Sequence, residues 1–254
     1  MNEINDRIIQ TFRKNVSSVY ELVNFDRIVL EFAISQVSDL SDKLKNVHGI
    51  GNSQLNAENT VKALKIIRQN DSLRPMYQVI SNQCVVLLVS YFGSSVGDLF
   101  KCYLTEVLKL GMLSPALRKE DIKLSLGELE TMSYDILTNI GEIVVANKGI
   151  SFQDMQSIAR AFHDWLGYEP IQDVDVNNII ISQACRHAIV HSGGMVDKRL
   201  VKQVATAKPR NVKPEFIENT PIQFYPDEVE VIGESMVRYI ERLIEGLGKS
   251  GFAA

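Results

Sequence analysis

Cysteine is too scarce in this sequence to build on. There are three, Cys84, Cys102 and Cys185, among 254 residues. Their number is odd, their surroundings are apolar and no C-x-x-C pair exists. A disulfide-stapled scaffold and a cysteine-based metal ribbon are thereby excluded, and the thiols read as reduced core residues of a cytoplasmic protein. Long hydrophobic runs are missing too. The longest, residues 84–89, is far too short to cross a bilayer, so no membrane association is expected. Residues 1–7 have no basic flank followed by an apolar run, so no secretory signal is expected. Nor is there an excess of positive charge: 27 Lys and Arg against 31 Asp and Glu leave a net −4. A generally basic nucleic-acid coat is excluded, and any polyanion site must be a local patch. Histidine is scarce as well, with four in the chain.

What the chain has is helical periodicity. Ile8, Phe12, Val16, Val19, Val23, Leu30, Ala33, Val37, Leu40 and Leu44 recur at three-, four- and seven-residue spacings, predicting one long amphipathic helix or a broken pair. His48-Gly49-Ile50-Gly51-Asn52 is expected to end it, a shorter helix to cover 57–69, and Arg74-Pro75 to mark the next boundary. Residues 76–110 are the most apolar and read as the inner helix of a bundle, with Gly93 and Gly97 one turn apart where another backbone can approach. A connection broken at Ser114-Pro115 follows. Helices are then expected over 128–147 and 152–166, the second opened by a capping-box-like Ser151-Phe152-Gln153-Asp154 and closed by Gly167. Phe162 and Trp165 read as core at helical spacing. Asp173 or Asp175 should cap a helix running to His191, stopped by Gly193 or Gly194. Residues 198–225 read as irregular with a short hairpin, and a final helix starts near Asp227. Strand alternation is absent. The fold class is all-α, with residues 1–75 as an N-terminal helical extension packed on a bundle formed by 76–254.

The end of the helix closing at His191 carries the chemistry. Arg186-His187-Ala188-Ile189-Val190-His191 is followed at once by Ser192-Gly193-Gly194. His191 falls in the last turn, where the negative end of the helix macrodipole favours a protonated imidazole, and imidazole is the side chain best suited to giving and taking protons near neutrality. Arg186 stays charged and can hold two phosphate oxygens in a fork. Downstream, Lys198, Arg199, Lys202, Lys208, Arg210 and Lys213 follow with no acidic residue between the first and last, a phosphate track in an otherwise acidic chain. Residues five apart lie about 140° round a helix and roughly 7.5 Å along it, so Arg186 and His191 do not share a face, whereas His187 and His191 do. Cleavage of RNA through its 2′-hydroxyl wants a base, an acid and a charge stabiliser. Two copies of this helix end meeting across a two-fold axis would supply them, which predicts a homodimer with one composite cleft.

Arg186-His187-x-x-x-His191 at the end of a bundle helix resembles the motif of the HEPN superfamily. The flanking Ala184-Cys185 and the exit Ser192-Gly193-Gly194-Met195-Val196-Asp197 are also similar to members of that group. The apolar Val86-Leu87-Leu88-Val89-Ser90-Tyr91-Phe92, with Asp98-Leu99-Phe100 after it, is similar to the helix beside the motif helix. The resemblance covers roughly residues 76–246. It implies a HEPN-type helical bundle with additional N-terminal helices, and a metal-independent endoribonuclease that leaves a 2′,3′-cyclic phosphate and needs no cofactor. Arg186 and His191 would then be the catalytic pair, with His187 and Ser192 in support and Lys198, Arg199 and Lys202 holding RNA. Many members are toxins or act in defence against phage, which leaves room for an antitoxin or regulatory protein as a partner.

Plainer roles compete for the same residues. Arg186 could form a surface salt bridge to Asp98 or Glu106, and His191 could cap its own helix through free carbonyls. His187 and His191 at i and i+4 have zinc-ligand spacing, but no third ligand is apparent. A different functional class, a non-catalytic HEPN-like module that binds RNA, a nucleotide or a partner protein, would carry the same stretch without cleaving anything.

Overall fold

The computed structural model describes residues 2–44, 51–69, 74–112, 114, 117–213 and 215–249. The class is all-α: ten α-helices and no strand occur among the described residues. They are α1 (Asn2–Val23), α2 (Phe25–Leu44), α3 (Gly51–Gln69), α4 (Arg74–Lys109), α5 (Leu126–Thr131), α6 (Ile136–Lys148), α7 (Met155–Leu166), α8 (Val174–His191), α9 (Lys198–Gln203) and α10 (Pro226–Leu247).

The apolar helix α4 lies at the centre, packed against α1, α6, α7, α8 and α10. It is long and apolar enough to cross a membrane by length and composition, but half of that stretch is buried inside the molecule. Phe92, on α4, shows why α1 and α10 dock here. Its ring meets Phe12 of α1 at 6.4 Å and Tyr239 of α10 at 5.6 Å, both edge-on. Two turns on, Phe100 packs edge-on against Phe162 of α7 at 5.3 Å. Such pairs each add about 0.5–1.5 kcal/mol beyond the area they bury. On α1 the buried Ile9, Phe12, Val16, Val19 and Val23 form the expected stripe. Trp165 packs half-buried against the same core.

The N-terminal pattern is a broken pair, with the break at Asn24. Past it, α2 packs chiefly against α3 and leaves Phe25, Ile28, Val29 and Phe32 exposed. The expected stop at 48–52 falls partly on His48, Gly49 and Ile50, outside the described residues, as does Pro115.

Four local expectations are corrected, three of them by capping. The helix expected over 128–147 is two. Ser125 and Glu128 form a capping box on α5, Asp135 accepts the Thr138 N–H on α6, and Ser133 and Tyr134 between them take positive φ. Asp154, not Ser151, caps α7: it stands at the N-cap position and accepts the Ser157 N–H at 2.8 Å, whereas the Ser151 hydroxyl accepts the Gln153 N–H. Residues 198–203 are helical because Asp197 accepts the Leu200 N–H at 2.7 Å. In place of a hairpin there is a single bridge, Met195 to Pro221, which ties the exit of α8 to the approach to α10.

At Gly93 another backbone approaches as expected, a Cβ there standing 3.0 Å from the Phe152 carbonyl oxygen; at Gly97 it is the Phe152 ring that approaches, also at 3.0 Å. The tighter contact is elsewhere. A Cβ on Gly141 of α6 would lie 2.5 Å from the Lys101 carbonyl oxygen and 2.9 Å from its Cα. Alanine is the better helix former by about 1 kcal/mol, but overpacking costs about 1–3 kcal/mol. Gly141→Ala is therefore expected to lower stability in urea unfolding, and a gain would mean that α6 does not sit this close to α4.

Candidate functional site

The site is built on α8, whose first three turns are buried on nearly every side. Asp173 caps it by accepting the Val176 N–H at 3.0 Å. Asp175 is not the cap. Its carboxylate is 5% exposed and accepts Arg238 Nη2 and Arg242 Nη1, each at 2.8 Å, from α10. Burial pushes this carboxyl up, and the two arginines outweigh it and hold it below the usual carboxylate range. Asn178 donates to Ser235 Oγ at 3.1 Å and accepts the Asn211 N–H at 3.0 Å. Asn177 donates to the Pro209 carbonyl at 2.9 Å, and Gln183 accepts the Met155 N–H at 2.9 Å. Together these bonds tie α8 to α10, to the loop at 209–211 and to α7, so the helix cannot rotate without breaking several.

That rotation decides what emerges at the last turn. The helix ends at His191, as expected. Ser192 and Gly194 both donate backbone N–H groups to the Ala188 carbonyl, at 2.9 and 3.0 Å, with Gly193 and Gly194 at positive φ. Backbone amides therefore supply the cap. The His187 and His191 rings make no hydrogen bond among the described residues; they meet at a tilt of 48°, with centroids 4.9 Å apart. His191 and Ser192 are exposed, and His187 and Arg186 half-buried.

Arg186 forms no salt bridge to either expected carboxylate. Asp98 pairs with Lys101 at 2.8 Å and Glu106 with Lys109 at 3.1 Å. The Arg186 Nε is buried without a hydrogen-bond partner, an arrangement that suits an anion not yet bound. Burial pushes the His187 imidazole below its ordinary value; positive Arg199, His191 and Arg186 push it further, against Asp197. These groups therefore share one electrostatic neighbourhood: three cations or potential cations around a histidine held towards its neutral form.

The phosphate track divides in two. Lys198, Arg199 and Lys202 are exposed on α9 and make no ion pair among the described residues. Arg210 instead turns inward, donating to the Val204 carbonyl at 3.1 Å and lying over the Phe216 ring. Lys213 pairs with Glu228 at 2.7 Å beneath Phe224 and Tyr225. No group of three His, Cys, Asp or Glu side chains that could hold a metal occurs among the described residues.

Sequence reasoning missed a cavity of about 540 Å³ between α7, α8 and the end of α9, lined by Gln156, Gln172, Gln183, Gln203 and Thr206 beside apolar Ile171 and Ile180. Its residues come from α7, α8, α9 and the segments beside them, Ile171 and Gln172 before α8 and Thr206 after α9, and have no common spacing. A second cavity of equal volume, between α1, α4 and α6, contains no residue of α8 or α9 and includes Lys101 with its ion-pair partners Asp98 and Glu142.

Two outcomes are expected. In imidazole NMR titrations Arg199→Ala should raise the His187 midpoint, and an unchanged midpoint would separate Arg199 from the histidines. The ion pairs of Asp175 add stability that is fully present above the unfolded carboxylate value of about 3.9 and is lost as pH falls through the lower native value. Asp175→Asn should therefore unfold more easily than the wild type at pH 7, with the gap narrowing below about pH 4.

No protein-family model matches this chain, nor does any curated protein or solved structure.

Proposed function

We propose that this chain is a metal-independent endoribonuclease of the HEPN type, acting in the cytoplasm as a homodimer. The observation that carries the reading is the half-buried Arg186, with no carboxylate partner among the described residues, beside the paired His187 and His191 rings. A buried guanidinium nitrogen with no acceptor is costly unless a ligand supplies one. Within reach are two imidazoles and the exposed cations of α9, the groups that phosphodiester cleavage uses.

In the proposed reaction a base removes the proton of a ribose 2′-hydroxyl, whose oxygen attacks the adjacent phosphorus. The 5′-oxygen leaves with a proton from an acid, giving a 2′,3′-cyclic phosphate and a 5′-hydroxyl. Arg186 holds the phosphate and stabilises the charge that builds on its oxygens. His191 and the same residue of the dimer mate exchange the two protons. His187, held towards its neutral form, and Ser192 orient the phosphate or the imidazole. Lys198, Arg199 and Lys202 hold the flanking backbone. No step calls for a metal or cofactor. A toxin or phage-defence role, with an antitoxin or regulatory protein as partner, is part of the same proposal and comes from the family resemblance.

Arg186→Ala and His191→Ala are expected to keep wild-type circular dichroism and dimer mass while losing RNA cleavage by at least about 100-fold. Activity retained in both variants would remove these residues from the site. RNA binding without cleavage by the wild type would assign the chain to the non-catalytic binding class.

A further inference from the structure

The cavity between α7, α8 and α9 adjoins the cationic helix end. Gln183 lines it, and His187 lies four residues further along α8, on the same face and about 6 Å on. Gln203 lines it from α9, and Arg199 lies four residues earlier on that helix. His187 and Arg199 are within electrostatic range of each other. Both helices therefore place the cavity one turn from the same charged group, about the spacing of neighbouring units in a nucleotide chain.

The lining has a chemistry of its own. Gln183 is 6% exposed, and its carboxamide is half used: Oε1 accepts the Met155 N–H at 2.9 Å while Nε2 has no partner. Buried amide nitrogens are ordinarily bonded, so two donors stand ready for an acceptor inside the cavity. Gln156, Gln172, Gln203 and Thr206 add neutral donors and acceptors around it, and Ile171 and Ile180 add apolar surface. The Asp154 carboxylate is also in the lining, where it accepts the Ser157 N–H and hydroxyl; amides at the rim with aliphatic walls suit a flat, uncharged ring carrying polar groups on its edge, and a phosphate would want the cations outside. The volume of about 540 Å³ lies in the ordinary range for small-ligand sites, about 300–1,000 Å³.

We infer that this cavity is a nucleobase subsite, which seats the base of the nucleotide next to the phosphate held at Arg186 and reads its edge through Gln183 and Gln203. The inference takes its ligand class from the ribonuclease reading, but base binding can be measured without cleavage.

The test titrates full-length protein with the four 3′-nucleoside monophosphates, none of which can be cleaved, and with ribose 5-phosphate as a probe lacking the base. At least one nucleotide is expected to bind tenfold or more tightly than ribose phosphate. Gln183→Leu and Gln203→Leu should each reduce that ratio at least fivefold and leave ribose phosphate binding unchanged, whereas Arg186→Ala should weaken all probes alike. Gln203 is exposed and bonds to no core group, so its variant reads the subsite even if Gln183→Leu loosens the start of α7. Equal binding of all five probes, or a ratio that survives both glutamine variants, overturns the subsite. Base preference in a protein that cuts no RNA keeps the subsite and removes the ribonuclease reading; cleavage without base preference does the reverse.

Discussion

The rotational setting of α8 is the constraint on which the rest depends. A helix with so apolar a neighbourhood could settle in several rotations if only hydrophobic packing held it, because packing is tolerant of small turns. Its buried polar residues remove that freedom. Asp175 answers to two arginines of α10, Asn178 to Ser235 and Asn211, and Gln183 to the first amide of α7. A buried polar group that loses its partner costs about 1–3 kcal/mol, so one wrong rotation would forfeit several such bonds at once. The last turn is thereby delivered in one orientation, with the His187 and His191 rings in contact and Arg186 set to one side.

This division of labour also explains the basic segment after α8. Cations close in sequence have opposite duties. Arg210 and Lys213 hold the loop that Asn177 and Asn178 grip from the other side, through the Val204 carbonyl and Glu228. Lys198, Arg199 and Lys202 do none of this, since buried Leu200 and Val204 anchor α9 by its other face. Charge near the histidines is therefore kept for solvent and for whatever arrives from it.

Much of this was legible in the sequence because it is local. Helix periodicity, the Asp173 cap, the glycine stop after His191 and the shared face of His187 and His191 all follow from spacings of a few residues. So does the close approach at Gly93 and Gly97, though which element would fill it does not. What could not be read depends on partners distant in the chain. Nothing local marks Asp175 as an arginine ligand instead of a cap, since both aspartates at the start of α8 suit either task. The split between α5 and α6 turned on which of several polar residues reached a free amide. The amide-lined cavity draws on α7, α8 and α9 together. Arg186 is an intermediate case: its type and position suggest an anion site, but only the structure shows that Asp98 and Glu106, the carboxylates expected to claim it, are engaged with lysines instead.

The account stands on one chemical claim, that this helix end cuts RNA through the 2′-hydroxyl without a metal. The most direct measurement is digestion of an oligoribonucleotide by the purified protein in EDTA, beside the same strand carrying a 2′-deoxy sugar at the cleaved position, with analysis of the product ends. The account predicts 2′,3′-cyclic phosphate and 5′-hydroxyl ends from the first strand and no cut at the substituted position of the second. Cleavage of both strands, cleavage only when a divalent ion is restored, or no cleavage of either would contradict it.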